Sequence, residues 1–184
     1  TITVGSGVTF NVAGTLQSGG SAITQGITSA QSFYLSSSKT IAAATQTTID
    51  STWAALDTTG VGIVGSASNV TVSSGIFSFA TTGIYLVETT MNFYENSGSN
   101  SRYVIGNVDA TVNNSSYSTV GQATSQISNT SGSNDNCVVN PSAIVDVSDI
   151  SNVKVRLSAF GQIEIKTETQ TKGFMIRFIR LGNT

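Results

Sequence analysis

The sequence contains no histidine. That removes Ser-His-Asp and Cys-His nucleophilic catalysis, and with them the commonest metal ligand. There is one cysteine, Cys137, so no disulfide can close within the chain and no CxxC pair exists for zinc. Cys137 lies between Asn134-Asp135-Asn136 and Val138-Val139 and reads as an ordinary strand-end residue. An intermolecular bridge or a reactive thiol is the alternative. Charge is scarce: 10 % of residues are charged, against roughly 25 % in ordinary globular proteins. Lys and Arg total 8 against 10 Asp and Glu, for a net charge of −2. With no basic stripe, the electrostatic footprint of nucleic-acid binding is missing. No apolar run approaches the roughly 18 residues of a membrane span, and no signal peptide is visible. No Gly-rich loop ends in Lys-Ser/Thr to cradle a phosphate. The chain starts at Thr1 without Met, which points to a processed or cut piece of a longer protein.

In place of charge the chain carries Ser, Thr, Asn and Gln, with 39 % hydrophobic residues and 18 glycines. A surface wetted by hydroxyls and amides avoids contacts that salt would screen. This composition suits an extracellular or virion surface protein.

The pattern is organised around residues 75–95. Phe77 and Phe79 alternate with Ile76, Ser78 and Ala80, and Thr81-Thr82-Gly83 is a turn signal. Tyr85, Val87, Thr89, Met91 and Phe93 then share one face of a long strand. Ile84 and Leu86 make the start of its other face apolar too, so something covers both sides. That cover is a second sheet or a neighbouring subunit.

Elsewhere, about ten short alternating runs are separated by polar turns, and no stretch shows a 3.6-residue period. The class is all-β, a sandwich or jelly roll. Val104, Val108 and Ala110 oppose Tyr103, Ile105, Asn107 and Asp109; Ala143, Val145 and Val147 share one side; residues 174–181 are apolar on both faces apart from Arg177 and Arg180. Residues 1–30 differ, with strands of a few residues broken by glycine corners, and read as the end of a fibre shaft or a linker. Residues 31–184 form the main domain.

The run Phe77-Ser-Phe79-Ala-Thr-Thr-Gly83-Ile-Tyr85 resembles the "F … G-x-Y" signature of the C1q and tumour-necrosis-factor-like domains. Residues 143–157 resemble the next landmark of those domains, although Asp149-Ile150-Ser151-Asn152 replaces the usual Gly-Asp turn. Residues 174–181 are similar to their closing strand. The resemblance covers residues 31–184. It implies a ten-stranded jelly-roll sandwich and a compact homotrimer. Ile84, Leu86, Tyr103, Ile105, Phe174, Ile176 and Phe178 would then pack between subunits.

The N-terminal segment and the hydroxyl-rich style look like bacteriophage tail- or head-fibre proteins, in which C1q-like heads occur at fibre tips. The function expected on that resemblance is non-enzymatic: a virion fibre tip that attaches to a host cell-surface glycan or protein and joins other fibre or tail proteins. The alternative is a structural trimerisation or decoration module that binds no receptor. Three polar loops at the distal end are the candidate contacts, through Asn96, Ser99 and Asn100; Asn114 and Tyr117; and Asn129, Asn134, Asp135 and Asn136. These side chains both donate to and accept from sugar hydroxyls.

No cofactor, metal or catalytic site is expected. Glycan hydrolysis would need paired carboxylates. Glu164 and Glu168, with Lys166 between them, read as a solvated edge, and Glu88 and Glu95 fall on opposite faces. Asp135 with its flanking asparagines, and Asp109 on the expected interface, are the residues that could ligate a hard cation. The Asn-x-Ser/Thr sequons at Asn69, Asn113, Asn114 and Asn129 matter only in a eukaryotic secretory setting.

Overall fold

The computed structural model describes residues 17–18, 21–22, 26–59, 61–95, 101–127, 135–169 and 172–184. Near the start, β1 (Gln17–Ser18) pairs with β2 (Ser21–Ala22). The sandwich follows with β3 (Ala30–Leu35), β4 (Thr40–Ile41), β5 (Thr47–Thr48), β6 (Trp53–Leu56), β7 (Thr58–Thr59), β8 (Gly62–Val64) and β9 (Val70–Ser73). Then come β10 (Ile76–Phe79), β11 (Gly83–Glu95), β12 (Ser101–Thr111), β13 (Ser118–Ile127), β14 (Asn136–Val139), β15 (Ser142–Val147), β16 (Lys154–Gly161), β17 (Ile165–Thr167) and β18 (Met175–Gly182). No α-helix occurs among the described residues.

Two sheets face each other. The six-stranded sheet runs β13-β12-β16-β10-β9, with β5 also on β16. The ten-stranded sheet runs β4-β17-β11-β18-β3-β8-β7; β14 and β15 also pair with β11, and β6 with β3. Pairing is antiparallel except for β7 with β8. Alternation decides the strands, as the sequence indicates. In β11 every odd-numbered residue from Gly83 to Glu95 is buried and every even-numbered one is half-buried. β15 alternates just as strictly, with Ala143, Val145 and Val147 inside.

The core between the sheets is aromatic. Phe77 lies at its hub, with ring centroids 5.3 Å from Phe33, 5.2 Å from Trp53 and 5.1 Å from Phe178. Aromatic pairs at such distances contribute beyond their buried area. The G-x-Y motif has a structural reason. Tyr85 packs 4.7 Å from Phe79, and its hydroxyl donates to the Thr81 carbonyl at 2.9 Å. The strand therefore holds the turn that precedes it.

The β9–β10 hairpin closes through Ser74 and Gly75, at φ 49° and 74°. Positive φ at both central positions makes this the turn whose twist suits a two-residue hairpin. A Cβ on Gly75 would press on the Ile49 carbonyl oxygen and lie 2.8 Å from the Asp50 Cα. Gly75→Ala is therefore expected to cost roughly 2 kcal/mol or more. Thermal unfolding should show a midpoint lowered by several degrees at matched protein concentration; an unchanged midpoint would refute this account of the turn.

Candidate functional site

The outward face of the ten-stranded sheet carries an apolar row across five strands. Ile144 on β15 is opposite Leu86 on β11; Leu86 is opposite Ile179 on β18; Ile179 is opposite Ala30 on β3; Ala30 is opposite Val64 on β8. Ile144 is 69 % exposed and Val64 46 %. Beside the row is an open cavity of about 220 Å³, whose lining includes Ala30, Gly62, Val64, Arg177 and Ile179. Ile84 and Leu86 therefore lie on this outward face, where the sequence reading puts them. Ile144, Ile179 and Val64 were missed, although Ile144 is legible as the odd apolar residue on the polar side of β15.

Three expected interface residues are elsewhere. Phe174, Ile176 and Phe178 have at most 1 % of their surface exposed, within the core of a single chain. They have no surface left to offer a second copy. β18 presents Met175, Arg177 and Ile179 outward instead. Tyr103 and Ile105 lie on β12 in the other sheet, on the opposite side of the sandwich from Leu86. There Tyr103 stacks on Phe160 at 5.8 Å, with ring planes 9° apart.

Asp109 shares that opposite side, so it faces no axis formed by the ten-stranded sheet. Its carboxylate accepts from Thr119 Oγ1 and Ser158 Oγ, both at 2.8 Å, and lies 3.5 Å from Arg156 Nε. The Arg156 guanidinium lies 4.1 Å over the Tyr117 ring. Asn107, Gln122 and Gln46 extend the network through Ser158. Asp109 is thus a buried structural acid, already engaged by Thr119, Ser158 and Arg156 rather than open to a cation at an interface.

The strand ends separate the three candidate loops. Ser101 pairs with Ile127, so residues 96–100 and 128–134 are flanked by one end of the β12–β13 ladder. Glu95 N–H donates to the Asp135 carbonyl at that same end. Asn114 and Tyr117 follow Thr111, at the other end. There Asn114 N–H donates to the Asn152 carbonyl, and the strand order also places Ala30 and Gly182 at that end. Asn113 Oδ1 accepts from the N–H groups of Ser115 and Ser116 at 3.0 and 2.8 Å, so its polarity serves the turn itself. Asp135 and Asn136 are at the far end. Asn96, Ser99, Asn100, Asn129 and Asn134 lie outside the described residues. The described candidate residues therefore fall at opposite ends of the sandwich, Asp135 and Asn136 at one and Asn114 and Tyr117 at the other.

β17 spans only three residues, so Glu164 and Glu168 flank it rather than share its face, and both have partners. No group of three or more His, Cys, Asp or Glu able to hold a metal occurs among the described residues. Nor is any helix there long and apolar enough to cross a membrane.

Cys137 is a buried core residue on β14, and burial pushes its thiol up to about 12 from an ordinary 9. A thiol so disfavoured as thiolate is inert as a nucleophile. Tyr85 is also raised from 10 by burial. Both folded-state values exceed the unfolded ones, so stability is full below pH 9 and falls as pH rises toward 12. Cys137→Ala should flatten the fall between pH 9 and 12 in denaturant titrations; an identical slope in the variant would contradict the thiol's role.

No protein-family model matches the sequence, and no curated protein matches it. Solved structures do match. Murine APRIL at pH 5.0 superposes with a TM-score of 0.60 at 12 % identity, covering 83 % of this chain and 98 % of that one. Eiger TNF from S. frugiperda gives 0.59 at 14 % identity, covering 84 % and 93 %. At such identities the likeness is one of fold. The chain has a C1q/TNF-like jelly roll, in agreement with the motif around Phe77, Phe79, Gly83 and Tyr85.

Proposed function

We propose that this chain is the non-enzymatic head of a virion fibre, a homotrimeric jelly roll that attaches to a host cell-surface glycan or protein. The observation that carries the assembly is the apolar row from Ile144 through Leu86, Ile179 and Ala30 to Val64. Burying apolar surface stabilises at roughly 25 cal/mol per Å². A contiguous outward stripe of this kind, in a chain without a disulfide, suits a subunit interface. Closed cyclic symmetry would cover it in every copy. The scarcity of charge and the wealth of hydroxyls and amides support an exposed, salt-tolerant role, and the setting on a bacteriophage fibre rests on the sequence resemblance.

Residues 1–30 would reach the head at the Ala30 end, which makes the opposite end distal. Attachment is accordingly proposed at the distal end, through Asp135 and Asn136. Asn114 and Tyr117 are at the proximal end and are left out of it.

Labelled head should bind susceptible cells and compete with whole virions. Asp135→Ala combined with Asn136→Ala should weaken that binding about tenfold or more, while Asn114→Ala should leave it unchanged. If the head binds but the distal changes do not weaken it, the assignment to the distal end fails; if the head does not bind, the alternative of a purely structural trimerisation module takes its place.

A further inference from the structure

One row along from the apolar stripe, the same outward face carries a row with both signs of charge. Ser142 is opposite Glu88, Glu88 is opposite Arg177, and Arg177 is opposite Ser32. Glu88 is half-buried and Arg177 exposed. They are direct cross-strand neighbours, yet they form no ion pair with each other. Among the described residues the ion pairs are Lys39 with Asp50 and Arg156 with Asp109. Glu88 and Arg177 thus stand uncommitted between Leu86 and Ile179 on one side and Thr90 and Met175 on the other.

Covering this face with a second copy takes both charges out of water. An unpaired buried charge costs several kcal/mol, so each must meet an opposite charge. Each copy supplies one of each sign in a single row, which makes the row self-complementary. A rotation axis running along the strands keeps height constant, so every row meets the same row of its neighbour. We infer that Glu88 of each copy pairs with Arg177 of the adjacent copy, and that three such pairs ring the assembly beside the apolar belt. The inference rests on the trimer reading and adds what sets its register. Sliding one copy by a single row would press Glu88 against Leu86 or Ile179. Like charges brought face to face would oppose any wrong partner.

Charge exchange tests this directly, by light scattering over a dilution series with circular dichroism as the control for folding. Wild type should be trimeric. Glu88→Arg alone and Arg177→Glu alone should keep the β-sheet spectrum but raise the assembly midpoint concentration more than about tenfold. The double exchange should bring it back to within about threefold of wild type. Glu88→Gln, a milder change that leaves the strand intact, should raise the midpoint in the same direction and lessen its dependence on salt. A trimeric wild type with single exchanges that assemble equally well would overturn the ion pairs and leave the trimer standing. Single exchanges that dissociate without rescue by the double exchange would overturn the pairing as well. A monomeric wild type would overturn the trimer and the pairing together.

Discussion

The rest of the structure depends on the two-sided apolar character of β11. A strand sends successive side chains to opposite faces, so thirteen residues cannot hide on one side. The odd-numbered set, from Gly83 through Tyr85, Val87, Met91 and Phe93, enters the core between the sheets. The even-numbered set begins Ile84, Leu86 and must find cover elsewhere. Because β15 and β18 flank β11 in register, Leu86 becomes the middle of a row rather than an isolated exposed leucine. One strand thereby ties the core of the chain to the surface that would join it to its copies.

The interior shows how such a chain holds without a disulfide. Phe77, from the six-stranded sheet, packs on three aromatic rings of the ten-stranded sheet, so the two layers cannot slide without separating rings packed near 5 Å. Polar groups on the far side of the sandwich are treated differently. Asp109, Ser158, Asn107 and Gln122 satisfy one another, and their neighbours cover them. A satisfied network of this kind fixes strand register, because a lost partner leaves a buried group unpaired. The two outward faces are therefore unlike: one carries a contiguous apolar row beside charges that pair with nothing among the described residues of the same chain, the other a buried polar network beside the Tyr103–Phe160 stack.

Much of this is legible in the sequence alone. Period-two alternation located β11, β12, β15 and β16, and the Phe77–Tyr85 run indicated the jelly roll. What alternation cannot say is which sheet a strand joins. Tyr103 and Ile105 have the same signature as Ile84 and Leu86, and only the pairing of β12 with β13 and β16 puts them on the opposite side. Residues 174–181 are apolar on both faces, so the pattern gave no sign that Phe174, Ile176 and Phe178 point inward; the register against β11 and β3 decides it. The loops read as one recognition surface because polarity marks exposure and not location. The row through Ile144, Ile179 and Val64 joins residues far apart in sequence, and no local pattern could reveal it.

In the proposed homotrimer, two further copies of the chain close the outward face of the ten-stranded sheet. The mass of the untagged wild-type protein, followed by light scattering from high to low concentration, tests it most directly. Three chain masses that persist on dilution are expected, with dissociation when Leu86→Asp places a charge in the middle of the row. A single chain mass at every concentration would contradict it and leave a monomeric sandwich with an exposed apolar face.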